Sequence, residues 1–470
     1  MMFPKHSLPC AGSNRGSVLA VASLVAAAAL AVPGMTATAQ LTPQQLVALS
    51  GGTYGPEYQQ VADAIAVFRQ GKIEAARQTL LAVKKQHPEL APADVMLAQL
   101  QLSVGRTGDA ERSLDRATRT EAADPEPFVI LAEIALREGR RAYAGLGYTR
   151  GEELLKTYKA NARRLRQLTL RVHAGLAAVD EWREQYDSAA THLQAWMDLD
   201  PKAALPVGSL GRVKFLNKQY QEARAAFAKL AALDKEAPPV EIAMGRLFWD
   251  NGLREEAQQS MEAAVKADPE DIRVRLTVAE WALTAGLLAL AQQNVDAALA
   301  LDKESVGARV LSARMARQAG DLPKAEKILS EAVLAAPTSF AATNELARTL
   351  AAMDDAAKHK SGLDYARQNH KALQGSKSAA GVEAMVTFGW LLLRNGRGAE
   401  AEAALNALPT GSTISPENAY YAAKIYLERG KRQLAANALK AALQSDVAFP
   451  GRRDAETLLQ SLSTPVPGGP

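Results

Sequence analysis

The side chains best suited to catalysis or metal binding are few and widely spaced in this chain. Five histidines follow residue 39: His87, His173, His192, His359 and His370. The last two are 11 residues apart and could share one face of a helix, although that spacing is more typical of solvated helix histidines than of a metal site. Serine, aspartate and histidine form no hydrolase signature. The sequence therefore predicts no catalytic residue, no metal and no cofactor.

Two further features could suggest chemistry. The segment GLGYTRG, Gly145 to Gly151, is glycine-rich but lies within a helical pattern with no strand before it, so it predicts a kink or loop rather than a nucleotide site. The single cysteine, Cys10, precedes an apolar run that is expected to be removed. The mature chain would then have no disulfide, no thiol nucleophile and no thiolate metal site.

Charged and aromatic residues recurring every 34 positions form the strongest candidate site. The nine candidates for a partner-binding groove are Arg212, Phe215, Arg246, Trp249, Glu280, Arg314, Arg317, Trp390 and Lys424. Aromatic and arginine side chains dominate many protein interfaces. A mixed basic and apolar stripe would suit an extended or helical protein partner with some acidic groups. The alternative is a solvated helix face with buried aromatic residues.

The same interval runs through most of the chain. Eleven positions, which we call anchors, have alanine three residues later, and ten of them have an apolar residue at offset 7. Offsets 3, 7 and 10 lie on one face of a helix. The anchors are Ile73, Thr107, Arg141, Tyr186, Tyr220, Arg254, Leu288, Leu322, Leu363, Gly398 and Arg432.

Glycine stands two residues before eight anchors, at a position that suits the left-handed end of a helix. Small residues such as Gly211 and Gly389 stand nine residues before many anchors and would let two helices approach closely. Proline follows several repeats, as in Asp200-Pro201, and would start the next helix. Each repeat is therefore predicted to be helix, glycine turn, helix and break.

Two intervals between anchors are longer than the rest, by 11 residues after Arg141 and by 7 after Leu322. These excesses correspond to about three and two helical turns, so longer helices would keep the buried face in register. We expect such helices around Glu152 to Glu181 and Phe340 to Asp364. A small inserted loop is the alternative.

The first 39 residues have the pattern of a secretory signal peptide. Lys5 and Arg15 precede an apolar run over residues 17–32, and Ala37-Thr38-Ala39 offers a cleavage site. A buried helix and an uncleaved membrane anchor are the alternatives. Cleavage would leave 53 basic and 51 acidic residues, so a nucleic-acid partner is not expected. Cleavage would also remove the apolar run, so no stable membrane span is expected in the mature form. The expected location is the periplasm, with secretion as the alternative.

The 34-residue period, the paired helices, the turn glycine and the small contact residues resemble the tetratricopeptide repeat family. The resemblance implies an all-α superhelical solenoid of about eleven helix-turn-helix repeats, with a concave groove that binds peptides or proteins. The chain departs from the family pattern thirteen residues before the anchor, where the family usually has an aromatic residue. Phe128 is aromatic at this position, but Val207, Glu241, Arg275 and Arg309 are not. The set of Lys and Asn residues that grips chaperone tails in one branch of the family is also not matched.

This resemblance predicts the organisation of the whole chain. After the signal peptide of residues 1–39, residues 40–56 would be a lead-in linker, residues 57–446 the repeats, residues 447–463 a capping helix and residues 464–470 a disordered tail. We expect a non-enzymatic protein-interaction scaffold in the cell envelope. An adaptor for assembly or export of an envelope polymer, such as a polysaccharide or pilus, is the more specific alternative. The period and charge disfavour an RNA-binding repeat, and nothing in the residues favours an enzyme.

Overall fold

A computed structural model describes residues 41–463, and α-helices with one short 3₁₀ helix are the regular secondary structure in that range. The predicted signal peptide and the predicted tail lie outside the described residues. Close contacts divide the chain at Asn251 and Gly252. We call residues 41–251 the first unit and residues 252–463 the second unit. The all-α prediction is confirmed over the part of the chain that is described.

The first unit contains twelve helices, in which α2 packs on α3, α4 on α5, and so on through α10 on α11. A 3₁₀ helix, Pro56–Tyr58, precedes α2. The helices are α1 Pro43–Leu49, α2 Gln59–Arg69, α3 Ile73–Gln86, α4 Ala93–Ser103, α5 Thr107–Thr120, α6 Glu126–Arg137, α7 Arg141–Leu155, α8 Ala162–Trp182, α9 Tyr186–Leu199, α10 Ala204–Leu216, α11 Tyr220–Leu233 and α12 Val240–Asp250.

The second unit also contains twelve helices, and its pairs run from α14 on α15 to α22 on α23. The last helix, α24, packs on α23, where a capping helix was expected. The helices are α13 Arg254–Ala267, α14 Ile272–Thr284, α15 Leu288–Leu301, α16 Val306–Gln318, α17 Leu322–Ala335, α18 Phe340–Ala352, α19 Ala356–Ala372, α20 Ala379–Arg394, α21 Gly398–Asn406, α22 Pro416–Glu428, α23 Arg432–Leu443 and α24 Arg452–Ser463.

The predicted anchors mark the start of the second helix in each pair. Ten of the eleven are the first residue of an α-helix, and Leu363 is the exception. The alanines three residues later pack between helices because only a methyl group fits there. None of these eleven alanines has exposed surface: Ala76, Ala110, Ala144, Ala189, Ala223, Ala257, Ala291, Ala325, Ala366, Ala401 and Ala435.

The turn before each anchor requires a left-handed backbone conformation. All eight predicted turn glycines have φ between 70° and 83°. Glu184 and Lys218 occupy the same position before Tyr186 and Tyr220, with φ of 63° and 60°. These two are the positive-φ residues other than glycine within residues 41–463, so the repeat geometry imposes the conformation even where the side chain disfavours it.

The two long intervals contain longer helices, but neither helix is continuous over the predicted range. α8 has 21 residues and begins at Ala162, after a break in which Asn161 caps its first turn. The helix predicted over Phe340 to Asp364 is interrupted at Met353, and Asp355 caps the 17-residue α19. Capping by Asn and Asp satisfies the free N–H groups of a helix start. The seven extra residues of this interval form the first two turns of α19, before Leu363. They add about two whole turns, so Ala366 stays on the buried face.

Two segments predicted as irregular are helical. Gly145 to Gly151 lie within α7, and a Cβ at Gly147 would lie 2.9 Å from the Ala132 Cβ, so this glycine permits close packing on α6. In the segment described from sequence as a lead-in, α1 has a capping box formed by Thr42 and Gln45. None of the helices in residues 41–463 combines the length and apolarity needed to cross a membrane.

Candidate functional site

The second unit contains an open cavity of about 930 Å³. Its walls come from the first helices of successive pairs, α14, α16, α18, α20 and α22, and from residues 447–450. Apolar lining residues include Leu276, Val306, Val310, Phe340 and Phe449. Each of the five helices begins at a polar N-cap whose side chain accepts a backbone N–H: Asp271, Ser305, Ser339, Ser378 and Ser415.

Buried charges lie along one side of this cavity. We call Arg317, Arg348, Glu345, Glu417 and Tyr421 the ionic cluster. Arg317 Nη2 lies 2.8 Å from Glu345 Oε2, and Arg317 Nη1 donates to a Glu417 oxygen. The Tyr421 hydroxyl donates to Glu417 Oε1 at 2.8 Å. The cluster thus ties α16, α18 and α22 together through charged hydrogen bonds.

Arg348 completes the cluster from α18. Its guanidinium donates to Asn418 Oδ1 at 2.6 Å and lies 2.9 Å from Glu383 Oε1. Burial by itself raises the pKa of the Glu417 carboxyl, but the Arg317 and Arg348 guanidinium groups outweigh it and lower that pKa to about 2. Glu417 is therefore ionised at neutral pH, and the cluster is a preorganised set of paired charges rather than an acid–base pair.

Residues 446–449, between α23 and α24, have no helical structure, and residues 447–449 line the cavity. The Ala448 N–H donates to the Thr284 carbonyl at the end of α14, at 2.9 Å. Phe449 is buried beside Tyr420, with ring centroids 6.1 Å apart. This wall of the cavity therefore already holds a non-helical backbone through a main-chain hydrogen bond and an aromatic anchor.

The structure brings three of the predicted groove residues together in the cavity lining: Glu280, Arg314 and Arg317. Arg314 Nη1 donates to Glu280 Oε1 at 3.1 Å, and the Glu280 side chain is 63% exposed. Arg317 is buried in the ionic cluster. Arg314 also lies 3.7 Å from Glu345, so carboxylates of this chain already partner both arginines.

The other two candidates in the second unit lie in packed or paired positions. Trp390 is buried and stacks on Tyr421, with ring centroids 5.2 Å apart. Lys424 Nζ lies 3.1 Å from Asp454 Oδ2, which belongs to α24. Neither Trp390 nor Lys424 lines the cavity.

The four candidates in the first unit differ in exposure. Arg212 pairs with the buried carboxylate of Glu181, and Phe215 is buried against Tyr220 and Phe248. Arg246 is exposed and Trp249 is half-buried on α12.

Sequence reasoning missed Arg348, Glu345 and Glu417. One signal could have found Arg348. The anchor Leu363 lies seven residues after the true start of α19 at Ala356, and Arg348 stands eight residues before Ala356. That is the same offset as Arg314 from its anchor. Glu417 could not be found this way, because its pairing with Arg317 spans 100 residues.

The first unit places two histidines in contact, although their spacing in the sequence indicated no pairing. His173 Nδ1 and His192 Nδ1 are 3.0 Å apart on the adjacent helices α8 and α9. Burial and the neighbouring His192 lower the pKa of His173. Glu152 on α7 joins them, with one potential ligand atom from each residue within 4.8 Å of the others.

Two adjoining segments, residues 214–280 and 279–340, match tetratricopeptide repeat sequences. No curated protein sequence matches the chain. Solved structures that the chain matches include a tetratricopeptide repeat protein from Parabacteroides merdae, at 16% identity, covering 63% of this chain and 99% of that one, with a TM-score of 0.32.

Yeast Tom70 is 16% identical, with 86% of this chain and 95% of that chain covered and a TM-score of 0.38. Cut9–Hcn1 of the APC/C is 13% identical, with 90% and 100% covered and the same TM-score of 0.38. The assignment of the repeats rests on the matched residues and on the repeat geometry, not on these structures. Proteins of this family are generally non-enzymatic scaffolds. Residues 214–340 therefore consist of tetratricopeptide repeats, and this repeat fold suggests a protein–protein interaction scaffold.

Proposed function

We propose that the protein is a non-enzymatic scaffold of the cell envelope that holds an extended segment of a partner protein in the cavity of the second unit. The observation that carries this proposal is the course of residues 447–449, which run non-helically along the same cavity. Because this wall accommodates a non-helical segment of the chain itself, we infer that the adjoining apolar lining can hold a non-helical segment of a partner.

The apolar lining decides which partner fits. Arg314 and Arg317 are paired with Glu280, Glu345 and Glu417, so a strongly acidic partner would have to displace carboxylates of this chain. Leu276, Val306 and Phe340 line the cavity without such competition. We therefore expect a segment with alternating apolar side chains, which would bury these surfaces.

The envelope location rests on the pattern of residues 1–39. Export of a reporter fused after Gln40 tests it, and retention of that reporter in the cytosol would contradict it. Assembly or export of an envelope polymer is the more specific form of the proposal, and the identity of the crosslinked partner would distinguish it from a general scaffold.

Site-specific photo-crosslinking in cells tests the cavity itself. A benzoylphenylalanine at Thr277, which is half-buried in the lining, should capture a partner whose crosslinked peptide is identified by mass spectrometry. The same group at Leu334, which is 81% exposed on α17 and outside the lining, is the matched control. Equal capture at both positions would contradict a specific cavity site.

A charge placed in the apolar lining gives a second test. Leu276→Glu should abolish the crosslink from Thr277 because an unpaired carboxylate would face the apolar side chains of the partner. Leu334→Glu should leave it unchanged. If instead Arg314→Glu abolishes the crosslink while Leu276→Glu does not, the partner is recognised by its acidic groups.

A further inference from the structure

We propose that Glu152, His173 and His192 form a binding site for a divalent transition-metal ion of the zinc type. The site joins three consecutive helices of the first unit, α7, α8 and α9. All three side chains are half-buried, so the ion would reach them from solvent while the helices fix their positions. It lies in a different unit from the cavity described above and does not depend on the proposed function.

The spacing of the two imidazoles suits a shared ion. Zn²⁺ binds histidine nitrogen at about 2.0–2.1 Å in tetrahedral geometry, which places two nitrogen ligands about 3.3 Å apart. His173 Nδ1 and His192 Nδ1 are 3.0 Å apart, so an outward shift of a few tenths of an ångström would bring both to bonding distance. Both rings would then carry their proton on Nε2.

The outer ring nitrogen of His192 faces a carboxylate. His192 Nε2 lies 3.7 Å from Asp180 Oδ2, and the Ser188 hydroxyl donates to the same Asp180 oxygen at 2.5 Å. Metal-bound histidines commonly direct the second ring nitrogen toward a carboxylate, which fixes the ring orientation. Asp180 is therefore placed as a positioning residue for His192.

The presence of Glu152 distinguishes this site from a hydrogen-bonded pair of histidines. Two neutral imidazoles can share one N–H···N hydrogen bond without any carboxylate. Arg150 pairs with the next residue, Glu153, at 2.9 Å, while the Glu152 carboxylate lies within 4.8 Å of ligand atoms of both histidines. A cation between the three residues would pair this carboxylate, and water would fill the fourth position of a three-ligand site.

Metal titration of the tag-free, chelator-treated full chain tests the proposal. With ZnCl2 we expect one bound equivalent by calorimetry, and with CoCl2 the visible bands of four-coordinate cobalt. Glu152→Gln, His173→Gln and His192→Gln should each weaken zinc binding at least about tenfold. His87→Gln is the matched control, because His87 has a carboxylate neighbour, Glu89 at 3.3 Å, but is not part of the three-residue group.

Thermal unfolding keeps the test decisive if a histidine variant folds poorly. Zinc should raise the melting temperature of the wild-type chain and of His87→Gln by more than that of Glu152→Gln, which retains both histidines. Absence of a stoichiometric site in the wild type would overturn the proposal. Zinc binding that survives all three substitutions, or that His87→Gln weakens equally, would also overturn it.

Discussion

Arg317 and Glu417 form a buried ion pair across 100 residues of sequence, between α16 and α22. The side chains are 3% and 10% exposed. Water therefore cannot replace either partner. The pair links α16 to α22 beside the cavity through a buried charged contact.

Loss of one member of this pair should be costly. We expect Arg317→Met to lower the free energy of unfolding by about 3–5 kcal/mol, because it leaves the Glu417 charge buried with fewer partners. Urea denaturation measures the effect. Arg314→Met is the control, since Arg314 is 29% exposed and its main partner is a surface carboxylate, and it should cost less than about 1 kcal/mol. Equal losses in the two variants would contradict the assigned role.

The lowered pKa of Glu417 predicts the pH dependence of stability. The folded-state pKa is about 2, against an ordinary value of 4.5. The stabilisation from ionised Glu417 is thus fully present above pH 4.5 and is lost as the pH falls toward 2. We expect this carboxyl to contribute about 3 kcal/mol at neutral pH.

Glu417→Gln provides the comparison for that pH series. The difference in unfolding free energy between wild type and Glu417→Gln should shrink as the pH is lowered below 4.5. Urea denaturation at several pH values measures it. A difference that stays constant across this range would show that another group controls the acid response.

Lys218 offers a route to greater stability. Its φ of 60° is a conformation that costs an L-residue about 1–2 kcal/mol, and the side chain is exposed. Lys218→Gly should therefore raise the unfolding free energy by about 1 kcal/mol, after allowance for the larger backbone entropy of glycine in the unfolded chain. Lys218→Ala removes the same side chain but keeps the Cβ, and it should give no gain. Equal melting temperatures for the two variants would refute the backbone explanation.

Gly211 should not tolerate a methyl group. A Cβ at this position would lie 2.7 Å from Phe227 Cε1, so Gly211→Ala should cost about 1–3 kcal/mol by forcing α10 and α11 apart. Adding Phe227→Leu should recover part of the loss. Gly208→Ala, in the same helix, is the control, because its Cβ would meet only the flexible tip of Leu230 at 3.3 Å. Thermal unfolding of the single and double variants checks this prediction.

The sequence by itself determined the local geometry of the repeats. Turn glycines such as Gly105 and Gly252 have the predicted positive φ, and the alanines after the anchors are buried. These features were readable because each depends on residues within one repeat. The period of 34 residues then repeats the same pattern of turn and buried residues along the chain.

Only the tertiary structure decided which side chains meet between repeats. The lengths of the two long intervals predict how many turns are added. The starts of α8 and α19, where Asn161 and Asp355 are the N-caps, were not predicted. Glu417 reaches Arg317 because stacking brings α16 and α22 to one cavity, and His192 reaches His173 because α9 folds back on α8. Sequence spacing does not encode these distances, because a contact between repeats depends on the crossing and stacking of packed helices.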